Sequence, residues 1–101
     1  MELERLRARI LELDEEIIRL IGERREVVLA VGRLKEELGL PVMDPAREAA
    51  VVRRAALLAR ELGVDEELTR DVIWRVIASA REAQEGGQGW GPPEYPMPSE
   101  G

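Results

Sequence analysis

A long stretch without proline constrains the fold of this chain more than any other feature. From Glu2 to Leu38 the sequence contains no proline, and its seam residues recur at alternating intervals of three and four. This heptad stripe is typical of a helix that pairs with another helix. At about 1.5 Å per residue the predicted helix is about 55 Å long. The seam positions are Leu3, Leu6, Ile10, Leu13, Ile17, Leu20, Arg24, Val27, Val31, Leu34 and Leu38.

Two shorter helices are predicted to follow. Gly39 lies where a left-handed residue would end the first helix, and Asp44 and Pro45 suit the N-cap and the first helical position of the second. Gly63 is expected to end the second helix, and Asp65 to cap a third that runs to about residue 85. Their apolar faces comprise Val51, Val52, Ala55, Leu58, Ala59 and Leu62 in the second helix, and Leu68, Val72, Ile73, Val76, Ile77 and Ala80 in the third.

The lengths of these helices bear on assembly. The second and third helices would span about 26 and 31 Å, so within one chain they could cover the long seam only if they were laid end to end. A second copy of the chain is the simpler cover. We therefore predict an all-α fold with three helices per chain, one long and two shorter, in an intertwined helical homodimer.

The composition changes abruptly after residue 85. Residues 86–101 are rich in glycine and proline and have no helical pattern, which predicts a flexible or polyproline-like tail. Trp90 or Tyr95 could anchor such a tail. The sequence thus divides into a helical domain over residues 1–85 and a Gly/Pro-rich tail over residues 86–101.

The composition excludes several kinds of site. The 101 residues include no cysteine and no histidine, so zinc fingers, thiol nucleophiles, disulfide frameworks and histidine triads are ruled out. Any catalysis would depend on arginine, lysine, carboxylate and amide groups. Lys35 is the only lysine and asparagine is absent, a usage that fits a thermophile or a GC-rich genome.

Charge and hydropathy narrow the choice of partners. The net charge of −6 argues against general binding to nucleic acids or to anionic membranes. No apolar run approaches the roughly 20 residues that a membrane helix needs, and Met1 leads directly into a charged stretch, unlike a signal peptide. We therefore expect a cytoplasmic protein. The net charge does not exclude a small anionic ligand in a local basic pocket.

Two cations on the long helix are candidates for such a pocket. Arg24 interrupts the apolar seam, where an unpaired buried charge would cost several kcal/mol, so it needs a carboxylate neighbour or an anionic ligand. Lys35 lies eleven residues further on and points about 20° away around the helix, so the two side chains face the same way. By residue type and spacing alone, structural salt bridges to glutamates are favoured over a shared ligand.

Four further polar residues accompany these cations. Arg47 and Glu48 lie in the first turn of the second helix, and Glu48 shares its apolar stripe and should point inward, although an interaction with the helix dipole alone is favoured. Gln84 extends the stripe of the third helix, where an inward amide and a fraying helix end are equally good readings. The side chain of Arg7 points about 100° away from that of Arg24 around the helix axis. It could reach the pocket of an antiparallel partner, but an ordinary exposed arginine is favoured on spacing alone.

Taken together, the order and spacing of these residues form a known pattern. Over residues 3–85 the chain resembles the all-helical, type II chorismate mutases, with no evident gap. Each motif is weak alone, but the series is specific enough to outweigh the separate alternatives above. The motifs are Leu6-Arg7-Ala8-Arg9-Ile10, Leu13-Asp14-Glu15-Glu16-Ile17-Ile18, Glu23-Arg24-Arg25, Val31-Gly32-Arg33-Leu34-Lys35, Pro41-Val42-Met43-Asp44-Pro45-Ala46-Arg47-Glu48 and Gln84.

The resemblance implies a unimolecular rearrangement of chorismate to prephenate, on the way to phenylalanine and tyrosine. A pericyclic step needs no nucleophile, metal or cofactor, so it suits a chain without histidine or cysteine. Catalysis then consists of orientation and of electrostatic stabilisation of the charge that develops on the ether oxygen. By resemblance, Arg24 and Arg7 of the partner subunit would each grip a substrate carboxylate, with Arg47 in support.

The same resemblance assigns roles to the remaining candidates. Lys35 and Gln84 would donate hydrogen bonds to the ether oxygen of the substrate. Glu48 would accept a hydrogen bond from the ring hydroxyl, and Asp44 would lie beside it at the helix start. The chain departs from the family at Ala80, where many members have a serine that contacts a carboxylate. Ser79 is one position early and points about 100° away, so it should not substitute.

Two other functions remain open. An isochorismate pyruvate-lyase would use the same scaffold and similar cations, and a non-catalytic helical dimer could serve as a dimerisation or regulatory module. The second alternative does not explain why the polar residues Arg24, Lys35, Glu48 and Gln84 all interrupt apolar faces. The segment 90–97 could also dock onto another enzyme of the aromatic pathway.

Overall fold

The computed structural model describes residues 1–84 as three α-helices. These are α1 (Glu2–Glu37), α2 (Pro45–Leu62) and α3 (Glu66–Gln84). The predicted all-helical fold is confirmed over these residues, which include no strand. The expected tail, with Trp90 and Tyr95, and the predicted division of the chain between residues 85 and 86 lie outside the described residues.

The junction between α1 and α2 forms as its sequence predicts. Gly39 has a φ of 70°, and its N–H donates to the carbonyl of Glu36 at 3.1 Å while Leu40 N–H donates to the carbonyl of Lys35 at 2.8 Å. This pair of bonds is a Schellman motif, which satisfies carbonyls that the helix end leaves free. It also fixes the backbone turn that carries Lys35.

The start of α2 is fixed by its predicted cap. The Asp44 carboxylate accepts a hydrogen bond from the Arg47 N–H at 3.0 Å, and Pro45 occupies the first helical position, where its missing N–H costs nothing. The cap confirms the prediction and places Glu48 in the first turn of α2.

The junction between α2 and α3 repeats these devices. Gly63 ends α2 with a φ of 73°, and Val64 N–H donates to the carbonyl of Ala59 at 2.8 Å. The Asp65 carboxylate then accepts from the Leu68 N–H at 2.9 Å. Because this turn is short, α2 folds back against α3.

The packing places α3 between the other two helices. Among the described residues α3 contacts both α1 and α2, whereas α1 and α2 do not pack directly against each other. The buried apolar residues are Ala56, Ala59, Ile77 and Ala80. Three of these four are alanines, which let the helix backbones approach closely but bury little apolar surface. The core of one chain is therefore thin.

The N-terminal half of α1 has no cover within residues 1–84. Every residue from 1 to 20 is exposed, and the seam side chains in this half are 40–56% exposed. They are Leu3, Leu6, Ile10, Leu13, Ile17 and Leu20. A contiguous apolar stripe of this length is unusual on the surface of a monomer.

Two further features of residues 1–84 concern membrane-spanning helices and groups of metal-binding side chains. None of the three is long and apolar enough to cross a lipid bilayer. Within residues 1–84 no group of three or more aspartate, glutamate, histidine or cysteine side chains comes together in a way that could hold a metal ion.

Candidate active site

A cleft of about 190 Å³ lies where the second half of α1, the start of α2 and the end of α3 meet. Its apolar wall includes Val28, Val31, Val51 and Ile77. Its polar side chains are Arg24, Lys35, Asp44, Arg47, Glu48, Arg81 and Gln84. The structure therefore brings together six of the seven site residues expected from the sequence.

The cleft is basic although the chain is acidic. Four of its polar side chains are cationic and two are carboxylates, which leaves an excess of positive charge in a chain whose net charge is −6. A local concentration of cations between apolar walls attracts small anions because it focuses the electrostatic potential. This arrangement supports the expectation of a small anionic ligand.

Arg24 lines the cleft and lacks a hydrogen-bond partner for part of its guanidinium group. One of its guanidinium nitrogens, Nη1, is buried and has no hydrogen-bond partner among the described residues. None of the ion pairs within residues 1–84 involves Arg24 or Lys35, so the salt bridges favoured by spacing alone do not form. A buried guanidinium N–H without a hydrogen-bond partner costs free energy, which a bound carboxylate would recover.

Gln84 is a structured residue of the site and not a frayed helix end. Its Nε2 donates a hydrogen bond to the carbonyl of Val28 at 2.9 Å, which joins α3 to α1. A glutamine amide has two N–H donors, so the second can donate to a ligand in the cleft. Gly32 lies under this amide, and a Cβ built at Gly32 would come within 2.9 Å of Nε2.

Glu48 points inward, as its place in the apolar stripe predicts, and it has a partner that sequence reasoning missed. Its Oε1 forms an ion pair with Nη2 of Arg81 at 3.0 Å. The guanidinium of Arg81 also lies 5.6 Å from the ring centroid of Trp74. The signal was the spacing of residues 77, 81 and 84 on α3, which puts Arg81 on the same face as Ile77 and Gln84.

Of the three remaining candidates, two line the cleft and one does not. Arg47 is exposed at its rim, and Asp44 lines it while capping α2. Arg7 is exposed and does not line this cleft; along α1 it lies about 25 Å from Arg24. Its assignment to a partner's site therefore stays a prediction.

The alanine at the family's serine position lies in the cleft as expected. Ala80 lines it and is 3% exposed. Ser79 lines a neighbouring hollow together with Arg25 and Arg75. The prediction that Ser79 cannot replace the missing serine is consistent with this placement.

Comparison with known proteins gives a family. The family described as chorismate mutase type II matches residues 6–85. The chain is 37% identical over 67 residues to a chorismate mutase of Methanocaldococcus jannaschii, which covers 66% of this chain and 68% of that protein. It is 37% identical over 65 residues to a 4-amino-4-deoxychorismate mutase of Streptomyces venezuelae, which covers 64% and 63%.

A longer relative matches the same region. The chain is 39% identical over 72 residues to the T-protein of Haemophilus influenzae, a match that covers 71% of this chain but only 19% of that protein. No solved structure matches the chain significantly. Since the family match spans most of the sequence and all three helices that form the cleft, the chain belongs to the chorismate mutase type II family.

Proposed function

We propose that this chain catalyses the rearrangement of chorismate to prephenate. The observation that carries the proposal is the basic cleft in which Arg24 has a buried, unpartnered guanidinium nitrogen. Membership of the family and the name of the Methanocaldococcus relative support the same substrate. The chain spans only about a fifth of the T-protein it matches, so the activity is proposed for this chain on the basis of its own cleft.

The reaction asks little of the protein beyond position and charge. One C–C bond forms and one ether C–O bond breaks within a single molecule, with no net transfer of protons or electrons to the protein. The substrate must be held in a compact conformation, and negative charge develops on the ether oxygen. Donors that are already fixed stabilise that charge without reorganising during the reaction.

The cleft supplies groups for both tasks. Arg24 would bind one carboxylate through its fork, and Arg47 at the rim would support binding. Lys35 and the second N–H of Gln84 would donate to the ether oxygen. Glu48 would accept from the ring hydroxyl with Asp44 beside it. These roles agree with the positions of the six side chains in the cleft and with the family resemblance.

We also propose that the working protein is a homodimer whose sites are completed by Arg7 of the partner subunit. The support is the uncovered apolar stripe over residues 1–20 of α1. Arg7 lies in that same half of α1, too far along the helix to serve the cleft of its own chain. A pairing of first helices would cover the stripe and bring Arg7 toward the other cleft.

Subunit mixing tests this dimer directly. Arg7→Ala and Arg24→Ala should each be inactive alone. If Arg7 serves the other chain, co-refolding equal amounts should restore about a quarter of the wild-type sites, because half of the dimers are mixed and each has one intact site. No restoration in a mixture shown by mass spectrometry to contain mixed dimers would exclude the shared site.

The activity itself is tested by the loss of chorismate absorbance on adding purified protein. We expect wild-type turnover, a large loss in Lys35→Ala, and little change in the control Arg33→Ala, which removes a cation from the same helix turn outside the cleft. Consumption of isochorismate with chorismate untouched would support the lyase alternative. Failure to consume either compound would support a non-catalytic dimerisation or regulatory module.

The Streptomyces relative supplies a second substrate to compare. Its name contains 4-amino-4-deoxychorismate, in which an amino group replaces the ring hydroxyl of chorismate. Both compounds have the two carboxylates that a basic cleft would bind. The choice between them depends on the charge of the protein groups that face this one substituent.

A docking role for residues 86–101 stays a prediction.

A further inference from the structure

The ion pair between Glu48 and Arg81 is a polar feature of the cleft that neither the sequence pattern nor the family roles above include. It joins the first turn of α2 to the last turn of α3 at 3.0 Å, and both side chains are partly buried, at 18% and 30% exposure. Both residues line the basic cleft. Any group that approaches the Glu48 carboxylate therefore also approaches a guanidinium.

The position of Arg81 is fixed by more than this ion pair. Its guanidinium lies 5.6 Å from the ring centroid of Trp74, within the range of a cation–π interaction. Trp74 precedes Arg81 by seven residues on α3, so the two share a helix face. The Nε atom of Arg81 is buried, with no hydrogen-bond partner among the described residues. The contact with Trp74 and the burial of Nε thus help to hold the guanidinium with its Nη end toward Glu48.

This arrangement determines what Glu48 can accept. The ion pair uses Oε1, so Oε2 can still accept a hydrogen bond from a neutral hydroxyl. A protonated amino group at the same place would gain the attraction of Glu48 but would also meet the positive charge of Arg81. Without Arg81, the carboxylate would favour the cationic substituent over the neutral one.

We propose that Arg81 is a positioning residue that holds Glu48 and selects a substrate with a neutral hydroxyl over one with a cationic amino group. This inference rests on the proposed function, since it assumes that Glu48 faces the ring substituent. It deepens that function by naming the residue that determines which ring substituent the cleft accepts.

The expected size of the effect follows from the charges. Two like charges about 6 Å apart, in a medium of effective dielectric constant about 20, repel enough to weaken binding by about a hundredfold. The Arg81 side chain is 30% exposed, and solvent reduces the effect, so we expect a shift in substrate preference of about tenfold.

The test measures kcat/KM for chorismate and for 4-amino-4-deoxychorismate in the full chain and in matched variants. Arg81→Gln should shift the preference about tenfold toward the amino substrate, whereas Arg81→Lys keeps the charge and should retain most of the wild-type preference. Arg70→Gln is the control, because it removes an exposed cation from the same helix about 16 Å away. It should leave the preference unchanged.

Three results would overturn the inference. An unchanged preference in Arg81→Gln would show that Arg81 does not act on the ring substituent. An equal loss for both substrates would show that Arg81 binds a group they share, such as a carboxylate. If wild-type protein consumes neither substrate, the proposed function fails, and this inference fails with it.

A second variant covers the case in which Arg81→Gln does not fold. Glu48→Gln removes the attraction for an ammonium group and also leaves the Arg81 charge unopposed, so it should lower kcat/KM for the amino substrate at least about tenfold more than for chorismate. Equal losses for the two substrates in a folded Glu48→Gln protein would refute the proposal independently. Circular dichroism of each variant checks that the helices have formed.

Discussion

Replacing Gly32 with alanine should separate stability from activity. Gly32 is buried in α1 beneath the Gln84 side chain. A Cβ at this position would lie 2.9 Å from Nε2 of Gln84, while the Cγ and Cδ atoms, at 3.5 Å, are at ordinary contact distance. Only the amide end of a flexible side chain must therefore move. That end is the one proposed to donate to the ether oxygen.

The effect on stability is small because two contributions oppose each other. Alanine in a helix interior is favoured over glycine by about 1 kcal/mol. Displacing the amide weakens one hydrogen bond, from Gln84 Nε2 to the carbonyl of Val28, which contributes about 1 kcal/mol. The free energy of unfolding of Gly32→Ala should therefore remain within about 1 kcal/mol of the wild-type value.

Gly32→Ala should affect catalysis more than stability, because the rate depends on where the Gln84 amide lies and the substitution displaces it. The new Cβ must gain about 0.5 Å of clearance to reach ordinary contact with Nε2. A misplacement of about 1 Å in a catalytic group can cost about a hundredfold in rate, so a shift of half that size should lower kcat about tenfold. KM should change less, since the arginines proposed to bind the carboxylates are not displaced.

The assay pairs urea unfolding with steady-state kinetics on chorismate. Gly22→Ala is the matched control: it makes the same change on the same helix, where a Cβ would meet nothing within 4 Å in the described chain. It should stabilise the protein by up to about 1 kcal/mol and leave kcat unchanged. If Gly32→Ala kept full kcat, Gln84 would not be the donor. A loss of several kcal/mol would instead mean that the Cβ strains the backbone.

Three further predictions concern single side chains. Wild-type activity should show no titration attributable to position 84, whereas Gln84→Glu should lose kcat as pH rises, because the new carboxyl donates only when protonated; a flat profile in the variant would count against a donor role. Ala80→Ser should lower KM by supplying a hydroxyl to a substrate carboxylate, and an unchanged KM would show that this contact is not missing. The hydrogen bond from Arg60 lowers the pKa of Glu66 below its ordinary value of 4.5, so its stabilisation is present above about pH 4.5 and is lost as pH falls through the folded-state pKa. Glu66→Gln should make urea unfolding slightly less dependent on pH below that value, and an identical slope would show that the pair contributes nothing.

The sequence predicts the helix boundaries well because local chemistry determines them. Gly39 and Gly63 take the left-handed conformation that their neighbours rarely adopt. Asp44 and Asp65 each accept a hydrogen bond from an N–H three residues later. These features involve only residues close in sequence, so a single amino-acid sequence is sufficient to infer them.

The sequence predicts tertiary contacts less well. Spacing alone favoured salt bridges for Arg24 and Lys35, but no ion pair within residues 1–84 includes them. The pairing of Glu48 with Arg81 depends on the angle at which α3 packs against α2, which helical periodicity does not specify. The family resemblance assigns Gln84 a role as a hydrogen-bond donor. Its hydrogen bond to the carbonyl of Val28 in α1 depends on how α3 packs against α1, which the sequence does not specify.

The positions that break local rules explain how this cleft is built. Leucine in place of the half-buried Arg24 would continue the apolar seam and would leave no polar atom without a partner. Alanine in place of Gly32 would be a better helix former. Each residue is locally unfavourable, and each affects a polar group of the cleft: Arg24 leaves a guanidinium nitrogen unpartnered, and Gly32 makes room for the Gln84 amide. A helix selected only for pairing would have neither feature, so we infer that α1 has two separate roles. Its first half presents an apolar stripe, and its second half carries Arg24 and makes room for the Gln84 amide of α3 at the proposed anion-binding cleft.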